Sequence, residues 1–190
     1  MPAKQARPRA GVRPMAALIV MLALPAVGCQ DYPGPDPNVV TVPSSDSTPP
    51  SAVLDVSGFG PLIEVTAGGG AISRTGGASE IGLIGIATDN DGGAHEVSLA
   101  GDYTRACVDL TTGISRLEQG LFAPLTQTQA GKPGYEVTKQ LIIQSTRKIA
   151  DYTACPTGYR LGSLDMHWHV EAVNFFAGTD RTAVFAFHYP

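Results

Sequence analysis

The stretch from Ser51 to the end of the chain consists of short β-rich runs of apolar residues separated by glycine-rich breaks. Many runs alternate apolar and polar residues, and no window of twelve or more residues shows the period of an amphipathic helix. Strands are predicted at 52–57, 61–66, 80–88, 95–100, 103–109, 134–144, 161–176 and 181–189. Seven or eight strands predict an all-β fold, a single antiparallel β-sandwich over residues 51–190. The least regular stretch, 112–132, is expected to be a long loop with one edge strand.

The N-terminus has the three-part pattern of a secretory signal peptide. Four basic residues precede a run of thirteen apolar residues, 15–27, and the first acidic residue is Asp31. Thirteen helical residues at about 1.5 Å each cannot cross a hydrocarbon core of about 30 Å. The run therefore predicts export and not a permanent transmembrane helix.

The end of this run, Ala26-Val27-Gly28-Cys29, resembles the lipobox of bacterial lipoproteins. The resemblance implies that residues 1–28 are a lipoprotein signal peptide and that Cys29 becomes the lipidated N-terminus, carrying a diacylglyceryl thioether and an acyl chain such as palmitate. It implies a lipid-anchored protein of the cell membrane or outer membrane, facing the periplasm or the exterior. An ordinary secreted protein and an uncleaved anchor are the other interpretations.

Residues 29–50 are rich in proline, serine and threonine, which predicts a disordered tether between the lipid and the domain. Removing 1–28 takes four of the thirteen basic residues and leaves nine against seventeen acidic ones. This acidic balance argues against a nucleic-acid partner. The expected partners are the membrane, through the lipid anchor, and a protein or glycan.

The segment Ala87-Thr88-Asp89-Asn90-Asp91-Gly92-Gly93 resembles the corner between the second and third strands of bacterial immunoglobulin-like domains. The preceding run, 81–86, is similar to their buried second strand. The resemblance implies an immunoglobulin-like β-sandwich, a fold used for spacers, adhesin modules and binding platforms. Fold alone does not identify a function.

Two cysteines are left once Cys29 is lipidated, namely Cys107 and Cys155. An exported protein folds in an oxidising compartment, where an even number of cysteines favours a disulfide. We therefore expect these two cysteines to form a bridge.

The C-terminal hairpin suggests a metal site for zinc or copper. A turn at 177–180 that pairs Phe176 with Arg181 gathers the large apolar residues on one face. The polar face then places His169 opposite His188, with His167 and Glu171 two residues to either side. Imidazoles so arranged suit Zn²⁺ or Cu²⁺. An ordinary polar sheet face is the alternative interpretation.

A second metal hypothesis concerns the loop with Asp89 and Asp91, followed by Glu96, whose oxygen ligands suit Ca²⁺. The alternative is a β-turn that uses Asp and Asn for local hydrogen bonds. We find no catalytic motif, so no enzyme and no required cofactor is predicted. The sequence thus predicts a membrane-anchored lipoprotein displaying a non-catalytic binding or structural module, or alternatively a periplasmic or surface metal-binding protein.

Overall fold

The computed structural model describes residues 36–190, and they fold almost entirely into β-strands. One short 3-10 helix, Ile149–Tyr152, is the sole helix in this range, and no helix within it is long and apolar enough to span a membrane. The predicted signal peptide, 1–28, and Cys29 lie outside the described residues. The strands are β1 (Val39–Thr41), β2 (Ser51–Ser57), β3 (Ile63–Thr66), β4 (Ile72–Thr75), β5 (Glu80–Thr88), β6 (Ala94–Asp109), β7 (Ser115–Leu121), β8 (Leu125–Thr128), β9 (Glu136–Thr138), β10 (Gln140–Lys148), β11 (Tyr159–Asn174), β12 (Thr179–Arg181) and β13 (Phe185–Tyr189).

The strands form two main sheets and one small ribbon. The first sheet has the order β10-β5-β2-β3, and all its neighbours are antiparallel. The second has the order β4-β13-β11-β6-β7, with β12 beside β11 and β8 beside β6. Only the β4–β13 pair is parallel among the described strands. The ribbon joins β1 to β9.

The core lies between the two main sheets because alternate residues of each strand are buried. In β5 every second residue from Ile81 to Thr88 is buried, and β11 alternates in the same way from Leu164. The buried side chains of both sheets form one cluster that includes Leu54, Val56, Leu83, Leu99, Leu164, Met166, Trp168, Val170, Phe185 and Phe187. This arrangement confirms the predicted all-β sandwich.

The number of strands was predicted too low, because thirteen strands occur where seven or eight were expected. The predicted strands at 95–100 and 103–109 form one continuous strand, β6. The stretch 112–132 contains two edge strands, β7 and β8, instead of one. Several additional strands have only three or four residues, too few for an alternating pattern to show.

The boundary of the domain also differs from the prediction at Ser51. Part of the predicted tether packs onto the sandwich, where β1 pairs with β9 and Val42 is buried. Residues 36–50 accordingly belong to the same compact unit as the sandwich. The run Val39-Val40-Thr41-Val42 supplies the apolar side chains and β propensity that this docking needs.

The predicted register of the C-terminal hairpin was wrong by four residues. The Asn174 carboxamide oxygen accepts hydrogen bonds from the backbone N–H groups of Phe176 and Gly178, which fixes the turn earlier than the predicted 177–180. Strand β12 pairs there, and β13 then pairs further along β11, with Trp168 opposite Phe185. The shift of four residues at β13 keeps each of its side chains on the predicted face, whereas β12 is displaced by five residues, which puts Arg181 opposite Glu171 on the polar face. The core face was therefore predicted correctly, and the cross-strand partners were not.

Candidate functional site

The histidines of β11 and β13 lie on the outer face of the seven-stranded sheet, where each meets its own carboxylate. Nδ1 of His188 is 2.7 Å from Oδ1 of Asp165, its cross-strand neighbour. Nδ1 of His167 is 2.9 Å from Oδ1 of Asp102 on β6. This histidine face is thus an array of separate imidazole–carboxylate pairs.

The predicted zinc or copper cluster does not assemble. His188 lies opposite Asp165 and not opposite His169, because of the four-residue register difference. His169 instead has Nε2 at 3.6 Å from Oε1 of Glu171, which also lies 3.6 Å from Arg181. No group of three or more His, Cys, Asp or Glu side chains within residues 36–190 is placed to hold a metal ion.

His169 is partly buried on this face, close to Arg181. Burial lowers its pKa below the ordinary value of 6.5, and the positive charge of Arg181 lowers it further. The nearby carboxylates of Glu171 and Asp102 act in the opposite direction, with smaller effect. The imidazole is therefore neutral at neutral pH, in keeping with a packed position on the sheet.

The residues of the predicted calcium set are separated by the structure. Asp89 is 3% exposed, and its Oδ1 accepts hydrogen bonds from the backbone N–H groups of Asp91 and Gly92. Asp91 is exposed, Glu96 lies in β6 opposite Val173, and no group of three or more such side chains within residues 36–190 is placed to hold a metal ion. The three carboxylates therefore do not form one ligand set, and the loop is held as the β-turn interpretation expected.

Sequence reasoning missed Asp46, which comes from the linker segment between β1 and β2 (residues 42–50). Its Oδ2 atom lies so close to Gly92 that a Cβ at that glycine would collide with it. The same glycine donates its N–H to Asp89. No local sequence pattern joins positions so far apart, because only the docking of the linker segment brings them together.

A group of exposed aliphatic side chains lies on the hairpin formed by β6 and β7. Leu110 is 64% exposed, Ile114 69%, Leu117 68% and Leu121 84%, and we refer to these four residues as the hairpin end. They are four of the seven large apolar side chains that are exposed within residues 36–190. Leu and Ile recur through this stretch, which is the available sequence signal, although residues 112–132 are predicted to be a long loop with one edge strand.

The tip of this hairpin lies far from the point where the chain enters the sandwich. Strand β6 starts beside β1, since Gly93 is packed against Val40 and Val137. It then runs for sixteen residues to Asp109, about 50 Å at roughly 3.3 Å per residue. Leu110 and Ile114 follow at its far end.

The disulfide predicted between Cys107 and Cys155 is present, and it holds the hairpin to the loop before β11. Leu110 donates its backbone N–H to the carbonyl of Gly158 in that loop. Arg105 bridges the two strands of the hairpin by an ion pair to Glu118 at 2.7 Å. The aliphatic side chains are thus presented on a braced scaffold.

The hairpin also borders a shallow recess of about 460 Å³ that Leu121, Gln119 and Asp102 help to line. Since Asp102 also pairs with His167, the recess joins the hairpin to the histidine face. The exposed surface of the seven-stranded sheet therefore combines aliphatic side chains with hydrogen-bonding groups.

No protein-family model matches this chain, and no curated protein shows a significant match to it.

Proposed function

We propose that this chain is a lipid-anchored envelope protein whose immunoglobulin-like β-sandwich is a non-catalytic module that presents the hairpin end to a protein partner. The single observation that carries the proposal is the exposure of Leu110, Ile114, Leu117 and Leu121 at 64–84% on one braced hairpin. Exposed aliphatic residues that are clustered on one surface commonly mark interaction sites. The lipid anchor rests on the segment Ala26-Val27-Gly28-Cys29 and the immunoglobulin-like assignment on residues 87–93.

The placement of the hairpin favours a partner away from the anchoring membrane. The chain enters the sandwich near the start of β6, and the hairpin tip follows its end, about 50 Å away by strand rise. A domain tethered by its N-terminus can therefore hold this tip outward. The disulfide next to the hairpin supports the same location, because disulfides persist in exported proteins.

The chemistry of the hairpin end favours a protein over a glycan. Its large exposed side chains are leucine and isoleucine, which bury area in a complementary apolar groove. Stacking against sugar rings would need exposed aromatic side chains, and none is among the hairpin end residues. Arg116 and Gln119 supply a polar rim on the same strand.

The anchor is tested by labelling cells that express the full chain with a palmitate analogue. We expect label on the wild type and on Cys155→Ser, which keeps the lipobox, but none on Cys29→Ser. The Cys29→Ser protein should also leave the membrane fraction. Label on that variant, or its continued attachment to membranes, would contradict lipidation.

The partner surface is tested by placing a photo-crosslinking amino acid at position 114 or 121 of the full chain in intact cells. We expect a defined crosslinked species from these sites and none from position 62, where Leu62 is 60% exposed but outside the hairpin. Leu117→Ser should abolish the species, whereas Ile142→Ser, at an exposed aliphatic residue outside the hairpin, should preserve it. Equal crosslinking from position 62, or no effect of Leu117→Ser, would overturn the proposal.

A further inference from the structure

A half-buried carboxylate, Asp46, and a buried one, Asp89, contact the same glycine where the linker segment packs against the loop between β5 and β6. Asp46 belongs to the linker segment, and Asp89 follows directly after β5. Both contact Gly92, Asp46 through Oδ2 and Asp89 through a hydrogen bond of 2.7 Å from the glycine N–H to Oδ1. A Cβ at this glycine would displace the Asp46 oxygen from its present position.

Each carboxylate has one satisfied oxygen and one that has no donor. Oδ1 of Asp46 accepts the N–H of Thr48 at 2.7 Å, and Oδ1 of Asp89 accepts two backbone N–H groups. Oδ2 of each residue is buried without a hydrogen-bond partner among the described residues. Asp89 as a whole is only 3% exposed. Burying a charged oxygen without a partner is costly, so such an oxygen indicates a missing positive ligand.

Within residues 36–190, no Lys, Arg or His side chain forms an ion pair with these oxygens. Two like charges held against one glycine also repel each other. A bound cation offsets both the cost of burying the unpaired oxygens and the repulsion between the two carboxylates.

We propose that Asp46 and Asp89 together bind one calcium ion, which clamps the linker segment to the β5–β6 loop. Calcium accepts carboxylate oxygens together with backbone carbonyls and water in a flexible geometry. Two protein carboxylates are therefore sufficient as its charged ligands. Magnesium requires near-ideal octahedral geometry and keeps its waters, so this site favours calcium.

Both ends of the linker segment are held against the sandwich by contacts that do not involve the ion. Asn174 donates its side-chain N–H to the carbonyl of Thr48 at 2.9 Å, and Pro50 is buried. Val42 is buried at the other end of the segment. Because both ends are held by packing, the ion fixes the middle of the segment at Asp46.

The test compares thermal unfolding of the full chain in detergent with calcium, with magnesium and with a chelator. Calcium at about one hundred times its Kd should raise the wild-type Tm by roughly 5 °C or more. Magnesium at the same concentration should have a much smaller effect. Calorimetric titration with calcium alone should give one site per chain. No calcium-dependent rise would overturn the site, as would equal stabilisation by both metals.

Matched variants distinguish calcium binding at this site from a non-specific effect of the acidic residues of the loop. Asp46→Asn keeps a side-chain oxygen that accepts the Thr48 N–H and replaces the unpaired oxygen with an amide N–H donor. This variant should therefore fold in chelator at least as well as the wild type. Its response to calcium should be lost, and Asp89→Asn should lose it too. Asp91→Asn changes an exposed carboxylate in the same loop and should respond like the wild type. Loss of the response in Asp91→Asn to the same degree, or stabilisation of the wild type by acid but not by calcium, would overturn the proposal.

Discussion

Removal of the disulfide between Cys107 and Cys155 gives a large effect whose size follows from the loop it closes. The two cysteines are 48 positions apart, and closing a loop of that length stabilises the folded state by about 4 kcal/mol in the chain-entropy model. In a chain of this size each 1 kcal/mol shifts Tm by roughly 2–4 °C. We therefore expect the Cys107→Ala/Cys155→Ala variant to unfold roughly 8–16 °C below the wild type.

The loss should be greatest at the hairpin, since the bridge joins β6 to the loop before β11. Cys107 is fully buried and lies opposite Arg116 of β7. Hydrogen exchange should accelerate most in residues 103–121, whereas the part of β11 around Trp168 lies deep in the core and should keep its protection. Tyr103, Phe122 and Tyr152 pack together nearby and limit how far the opening spreads.

The assay is thermal unfolding followed by near-ultraviolet circular dichroism, with exchange measured on the same samples. Reduction of the wild type should reproduce the behaviour of the double variant, and reduction of the double variant should change nothing further. A Tm difference below about 2 °C would refute the loop-closure reasoning. Uniform loss of protection across both sheets would refute the assignment of the bridge to the hairpin.

Two further predictions concern the pH dependence of stability. Burial raises the pKa of Asp55 above 3.8, and the charge of Glu64 raises it further. Because the folded protein then holds this proton more tightly than the unfolded chain does, the free energy of unfolding decreases as pH rises from about 3.8 through the folded-state pKa. Asp55→Asn should therefore have a higher urea midpoint than the wild type at pH 7 and an equal one at pH 3. The pKa of His169 is lowered below 6.5, so the wild type loses stability as pH falls below 6.5, where the unfolded chain takes up the proton first. His169→Gln should lose less stability between pH 7 and pH 5, and an identical loss in the two proteins would contradict this assignment.

The alternation of residues was enough to predict which side chains of the C-terminal hairpin form the core. Trp168, Phe185 and Phe187 are buried as predicted. Alternation determines only the parity of a register, and a displacement by four residues leaves the pattern of faces unchanged. The turn held by Asn174 determines the actual register, and its side-chain hydrogen bonds have no clear signature in the sequence. The predicted pairing of His169 with His188 was wrong because of this register difference.

The composition of residues 29–50 predicted a tether, although 36–50 belongs to the folded unit. Proline and serine content averages over the segment and hides the short apolar run that forms β1. The burial of Asp46 depends on the β5–β6 loop, which is distant in sequence. Local sequence patterns therefore identified Asp89 as a candidate ligand but did not identify Asp46, which contacts the same loop.

The two proposed sites share no residue, which makes their effects separable. The linker segment contacts the loop that precedes β6, whereas Leu110 and Ile114 follow the last residue of that strand and Leu117 and Leu121 pair with its second half. Perturbations so far apart, with no shared contacts, usually add independently. The proposed calcium ion would fix the linker segment at Asp46 to the β5–β6 loop, whereas Leu117 and Leu121 would form part of the proposed partner surface. Asp46→Asn should leave photo-crosslinking from position 121 unchanged, and a joint loss of both properties would instead place one cooperative unit along the whole length of β6.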